Sequence, residues 1–306
     1  MTTPRLTRRT MGSLTLAGLV TFAGRATAQD RLSIAAVNYP LAYFAERIAG
    51  DLADVSFTVP NNVDPSFWRP GIADISAIQA ADLILLNGAG FADWTARTTL
   101  PRSRSVMTSA AFEDAFIATE TITHSHGEGG QHSHTGVANY LWLDFAQAQM
   151  QAAAIAAALT RRAPEAEAEI ARNLAALVAD LEALDVAAQD AGEAAQGIAM
   201  IAAHPRYQYF ARAYGMDIDA VEWDPREPVT AAQLSDLEGI MSDNGARLFI
   251  WEAEPDAASR AAVEDLGLVS VVIPPLANRP TEGDFLSAMG ATLDDLRAAT
   301  GLLSGG

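Results

Sequence analysis

The chain has no cysteine and no lysine. Lack of cysteine excludes disulfides and any thiolate metal site, so a bound metal must be held by His, Asp or Glu. Lack of lysine excludes a Gly-rich phosphate loop that ends in Lys. Neither a Gly-x-Ser-x-Gly elbow nor a His-Glu-x-x-His helix occurs, which removes two common signatures of hydrolytic chemistry. Histidine is scarce as well: of five, four lie between Thr123 and Thr135. Only His204 is left for a catalytic dyad, and its neighbours Pro205 and Arg206 offer no nucleophile, so the sequence speaks against an enzyme. Beyond the N-terminal segment no apolar run reaches the roughly 20 charge-free residues that a membrane-crossing helix needs.

Basic residues are also in deficit, 20 arginines against 38 acids, for a formal charge of −18. Nucleic acid and anionic membranes are poor partners for such a surface. The acidic excess either draws cations or serves only solubility. The N-terminus joins Arg8-Arg9 to an apolar stretch from Met11 to Ala23 and then to Ala26-Thr27-Ala28. This reads as a twin-arginine-type export signal with a small-residue cleavage site, and it predicts a periplasmic protein with no integral membrane segment. Cleavage after Ala28 would leave 278 of the 306 residues and remove four arginines and no acid, taking the charge to −22. That length suits one large or two ordinary domains, either able to bury a core.

What is present alternates strand with helix. Leu32 to Val37 is apolar and β-prone, Leu41 to Gly50 has helical spacing, Val55 to Val59 alternates, Ile75 to Ala81 is a short helix and Asp82 to Gly88 a buried strand ending in a turn; together these predict a parallel α/β unit. Thr121 to Asn139 is rich in Gly and His with no apolar period and reads as a flexible loop. Phe145 to Thr160 and Pro164 to Gln189 are helices, the second long enough to bridge two lobes. A second alternation runs from Ile198 to a C-terminal helix near Phe285 to Leu302. The fold class is α/β, two α/β lobes joined by one long rigid backbone helix with a ligand cleft between them. Residues 1–28 are the signal, 29–144 the N-terminal lobe, 145–192 the helices including the backbone helix, and 193–306 the C-terminal lobe.

Several short patterns stand in a telling order: Asn38-Tyr39-Pro40 through Gly50-Asp51, Asp64-Pro65 followed by Pro70, Ala81-Asp82 through Asn87-Gly88 with Trp94, Trp142-Leu143-Asp144, and His204 with Tyr207, Tyr209-Phe210 and Tyr214-Gly215. In this order the chain resembles the solute-binding receptors of zinc and manganese ABC importers. The resemblance covers nearly all of the mature chain. It implies a monomeric receptor that holds an ion between its lobes and delivers it to an inner-membrane ABC permease, with Zn2+ as cargo and Mn2+ or a metal chelate as alternatives.

The family's usual site has three histidines and one carboxylate, and here the match breaks. Ser66 follows Asp64-Pro65 where a histidine is expected, Tyr140 stands two residues before Trp142 where another is expected, and Pro274 takes the place of the carboxylate; His204 keeps its matching position. One imidazole cannot hold zinc tightly, because such sites normally take four ligands. Candidate replacements are the loop histidines His124, His126, His132 and His134, with Glu128 beside them, and either Glu252 or Glu254 at the end of a predicted strand. The loop can also be read as solvated chain without a ligand, His204 as a hydrogen-bonded core residue, and each glutamate equally as a solvated acid. Ser66, Arg69, Tyr140, Arg206 and Tyr207, with aromatic Phe67, Trp68, Trp142 and Trp223, describe a remodelled cleft for a chelate or small organic solute, with Arg69 or Arg206 meeting a carboxylate. The alternative function is thus a binding protein of the same fold that has lost direct ion binding and carries a chelate, an organic solute or a partner protein.

Overall fold

The computed structural model describes residues 1–2, 31–119, 123–125, 131–133, 136–224 and 227–304, so the predicted export signal lies outside the described residues. From Arg31 onward the chain opens with strand Leu32–Ala36 (β1), helix Tyr39–Ala49 (α1) and strand Ala53–Ser56 (β2). Asn38 starts α1 by accepting the Leu41 amide on its side-chain oxygen at 3.1 Å, with Pro40 in the first turn, and Gly50 ends it at a positive φ of 53°. Helix Ile72–Ala80 (α2), strand Leu83–Leu86 (β3) and strand Ser105–Met107 (β4) complete the first sheet. All its pairings are parallel and its strand order is β2-β1-β3-β4. β2 ends at Ser56, earlier than the alternation Val55 to Val59 predicts, because the chain then enters the loop that carries Asp64.

The stretch Thr121 to Asn139 is not wholly irregular: Thr123–Ser125 (β5) pairs antiparallel with Gln131–Ser133 (β6), His124 opposite His132. The missing apolar period hides this hairpin, since strands of three residues are too short to show one. Helix Phe145–Arg162 (α3) is capped by Asp144, which accepts the amides of Ala146 and Gln147. Helix Glu167–Ala194 (α4) follows a 3-10 turn at Pro164–Ala166; its 28 residues span about 42 Å.

The second sheet comprises Ala199–Ala202 (β7), Asp217–Ala220 (β8), Leu248–Trp251 (β9) and Val269–Val272 (β10), all parallel in the order β10-β9-β7-β8. Helices Gln208–Tyr214 (α5), Ala231–Asn244 (α6) and Ala257–Glu264 (α7) alternate with these strands. The runs Leu83–Leu86 and Leu248–Trp251 are continuously apolar, as parallel strands covered on both faces must be. Gly192 lets α4 meet α5 closely: a Cβ there would come within 2.1 Å of the Tyr214 carbonyl oxygen.

The lobes are joined by more than α4. Helix Phe285–Ser304 (α8) returns from the second sheet to pack on α4, and Phe285 lies 5.4 Å from Phe44 and 5.8 Å from Tyr43 of α1 by ring centroids. One apolar core therefore runs from Ile34 in the first sheet to Ile250 and Val271 in the second. Among the described residues no helix is long and apolar enough to cross a membrane.

Candidate functional site

Each sheet reverses its strand order once. In the first, β1 is flanked by β2 and β3; in the second, β7 is flanked by β8 and β9. Open α/β sheets bind ligands at the carboxyl ends of strands at such a switch point. In the second lobe those ends carry His204-Pro205-Arg206, after β7, and Glu252, after β9. They face the loop between β2 and α2 across a cleft of about 1070 Å³, walled by Asp64, Phe67, Trp68 and Tyr140 from the first lobe and by His204, Arg206, Trp223 and Glu252 from the second.

The loop aims Asp64 deliberately. Its Oδ1 accepts from the Ser66 amide at 2.8 Å and the Ser66 hydroxyl at 2.6 Å, which leaves Oδ2 turned to the cleft. Arg206 donates there from Nη2 at 2.7 Å and donates from Nε to Glu252 Oε2 at 3.1 Å. The Tyr140 hydroxyl lies 3.4 Å from the same Asp64 oxygen. The guanidinium carbon sits 4.7 Å from the Tyr140 ring centroid and 5.6 Å from that of Phe67. Arg206 is 4 % exposed, so this is a buried cation tied to one carboxylate from each lobe. Burial alone would lower its pKa, but the oxygens of Tyr140, Asp64 and Glu252 more than offset that and raise it. Burial pushes the Glu252 pKa up while Arg206 pulls it back, and burial holds the Tyr140 phenol well above its ordinary range.

His204 is buried in the cleft wall, its Nδ1 3.8 Å from Glu252 Oε2 and its Nε2 3.2 Å from Glu222 Oε2. Burial, reinforced by Glu252 and opposed by Arg206, raises the Glu222 pKa to about 7. Glu222 was invisible to pattern reasoning, because it follows β8 in a segment without a motif. Its one available signal is position: it too lies just past a strand end of the second sheet.

The structure brings His204, Arg206, Glu252 and Tyr140 together and places Arg69 and Pro274 in the same cleft wall. Ser66 is buried behind Asp64 and does not line the cleft. Tyr207 is likewise interior, donating to the Ile273 carbonyl at 2.6 Å, and Trp142 is core, donating to the Pro275 carbonyl at 2.7 Å. Arg206 meets carboxylates of the chain itself. Glu254 lies at the mouth, paired with Arg260 at 2.8 Å. Of the loop histidines, His124 and His132 stand opposite each other in the β5–β6 ladder, while His126, His134 and Glu128 lie outside the described residues.

These donors do not fit a bare zinc ion as they stand. Among the described residues no group of three or more His, Asp or Glu is arranged to hold a metal. Asp64 and Glu252, one carboxylate from each lobe, are both bound to Arg206. A dication placed about 4 Å from that guanidinium would meet a repulsion on the order of 8 kcal/mol at an effective dielectric of about 20, which offsets a large part of its attraction to the carboxylates.

A family model described as zinc-uptake complex component A, periplasmic, matches residues 34–299. The chain is 25% identical over 303 residues to the zinc-binding lipoprotein AdcA of Streptococcus pneumoniae, covering 95% of this chain and 60% of that protein. It therefore spans about 60% of the length of this relative. It is 24% identical over 227 residues to the high-affinity zinc uptake system protein ZnuA of Bacillus subtilis, covering 73% and 71% of the two chains. Among solved structures, the metal-dependent lipoprotein YcdH from Bacillus subtilis superposes with a TM-score of 0.74 at 21% identity, covering 88% of this chain and 98% of that one.

Proposed function

This chain belongs to the family of periplasmic zinc-uptake complex components, and from that premise we propose that it is the cargo receptor of a metal ABC import system. It takes a metal-bearing cargo into the cleft between its lobes, zinc being the metal that the relatives' names give, and hands it to an inner-membrane permease. It acts as a monomer in the periplasm, exported through the twin-arginine-type signal of residues 1–28, with lobes at 29–144 and 193–306 around the helices of 145–192. It catalyses no reaction. His204 is its metal-facing residue, and the loop histidines make accessory metal contacts.

One observation carries this reading. The cleft opens at the switch point of the second sheet and is walled by both lobes, with His204, Arg206 and Glu252 facing Asp64. A receptor needs such a site, since cargo that touches both lobes favours one relative arrangement of them and so reports its presence to a partner. The test is uptake of radioactive zinc, manganese and iron by cells that lack the gene, under metal limitation. The reading expects slower entry of at least one metal, restored by the intact gene. Unchanged entry of all three would overturn it.

A further inference from the structure

The cleft already contains a cation. We propose that Arg206 occupies, as a tethered charge, the place a divalent ion would need between the lobes, so that the cleft refuses a bare ion and takes its metal wrapped in a small organic chelator. This rests on the receptor reading above and names the chemical form of its cargo.

The donors of a mixed nitrogen and oxygen metal site are present, but both oxygen donors are turned on the guanidinium. Glu252 Oε2 lies 3.1 Å from Arg206 Nε and 3.8 Å from His204 Nδ1, and Asp64 Oδ2 lies 2.7 Å from Arg206 Nη2. Glu222, 3.2 Å from the other imidazole nitrogen, stands where metal-bound histidines commonly have an outer carboxylate that fixes the ring. Two carboxylates, one from each lobe, thus hold one positive charge supplied by the chain, with the His204 imidazole beside the second of them. A guanidinium cannot lose its proton to make room, and its carbon lies over the rings of Tyr140 and Phe67. A bare ion could take these oxygens only by expelling a buried cation from both of its partners.

The space that remains suits something larger. A cleft of about 1070 Å³ exceeds what an ion with its ligand atoms fills and falls at the size of sites for drug-sized organic molecules. Its wall carries six carboxylates, from Asp64, Asp224, Glu252, Glu254, Glu282 and Asp295, against three guanidiniums, from Arg69, Arg206 and Arg279, which selects against anionic complexes. The aromatic faces of Phe67, Trp68 and Trp223 suit a flat, apolar chelator whose complex is neutral or cationic.

The test uses the full mature chain with the four loop histidines changed to Gln, titrated calorimetrically with zinc alone and with the one-to-one zinc complex of terpyridine, a flat, neutral, three-donor chelator. With Arg206 intact, the complex binds more tightly than the ion. Arg206→Ala and the bulkier Arg206→Met each gain zinc affinity by at least about 100-fold, and the gain disappears when His204→Ala is added; Arg206→Lys, still cationic, gains little. Binding of the bare ion by the Arg206-intact chain as tightly as the complex would overturn the proposal and leave the receptor reading standing. Failure of both neutral variants to gain zinc, in protein that melts cooperatively, would overturn the role given to Arg206. Failure of the complex to bind would overturn the form of the cargo. Loss of the receptor reading shows separately, as unchanged metal uptake by cells lacking the gene.

Discussion

The two lobes present equivalent switch points and fill them differently. In the first, Asn38 after β1 donates to Asn87 after β3 at 3.2 Å, Gln151 of α3 donates to the same Asn87 oxygen at 3.1 Å and to Thr108 at 3.0 Å, and Asn87 donates to the Asn139 carbonyl at 2.9 Å. This network is neutral and buried. In the second, the same topological place holds His204, Arg206 and Glu252 beside open cleft. A neutral amide network can be closed over at modest cost once its hydrogen bonds are made, whereas buried charges must be paired or must keep access to ligand and water. The first switch point is consequently structural, and the cargo chemistry falls to the second with a single carboxylate, Asp64, reaching across.

Mutations at the two points are expected to separate them by size. Arg206→Ala strands two carboxylates and is expected to lower stability by about 3–5 kcal/mol, read by urea unfolding; a loss under 1 kcal/mol would mean the ion pairs are not closed in solution. Asn87→Ala removes a side chain that accepts twice and leaves buried donors unmatched, for an expected loss of about 2–3 kcal/mol. Unlike Arg206→Ala, it should leave zinc binding unchanged. Asn38→Ala removes a helix cap as well as one amide contact and should cost about 1–2 kcal/mol. An effect of Asn38→Ala larger than that of Asn87→Ala would show that the cap of α1, and not the network, governs the first switch point.

A separate expected effect is a pH dependence that arises in the second lobe. The Glu222 pKa is raised from 4.5 to about 7 in the folded protein. Between those values the folded state holds a proton that the unfolded state has lost, so stability falls as pH rises through this window and levels off above it. Glu222→Gln should flatten that part of the melting-temperature profile and melt higher than the parent chain above pH 8, because the amide never acquires the buried charge. A wild-type profile that rises from pH 5 to 7 would place the charge on Glu222 in a better-solvated setting than the structure gives it.

Much of this architecture is legible in the sequence, and the reason is periodicity. Continuous apolar runs such as Leu248–Trp251 and capped helices such as Thr230 with Gln233 before Ala231–Asn244 announce themselves locally. The site is legible only as far as position goes. His204 and Glu252 can be assigned to strand ends, but a loop has no period to say which way a side chain turns. Ser66 turns inward to hold Asp64, Tyr207 spends its hydroxyl on the Ile273 carbonyl, and Arg206 finds partners 142 and 46 residues away in the chain. These directions are set by the meeting of two lobes. The same holds for β4, whose three residues Ser105–Met107 are too few to show alternation and are fixed by pairing with β3.

The measurement that bears most directly on the resident cation is anomalous X-ray scattering at the zinc edge, from crystals soaked in zinc, of the Arg206-intact chain and of Arg206→Ala side by side. The account predicts no zinc among His204, Glu252 and Asp64 in the intact chain and one bound ion there once the guanidinium is gone. A zinc peak at those three residues with Arg206 in place would contradict it.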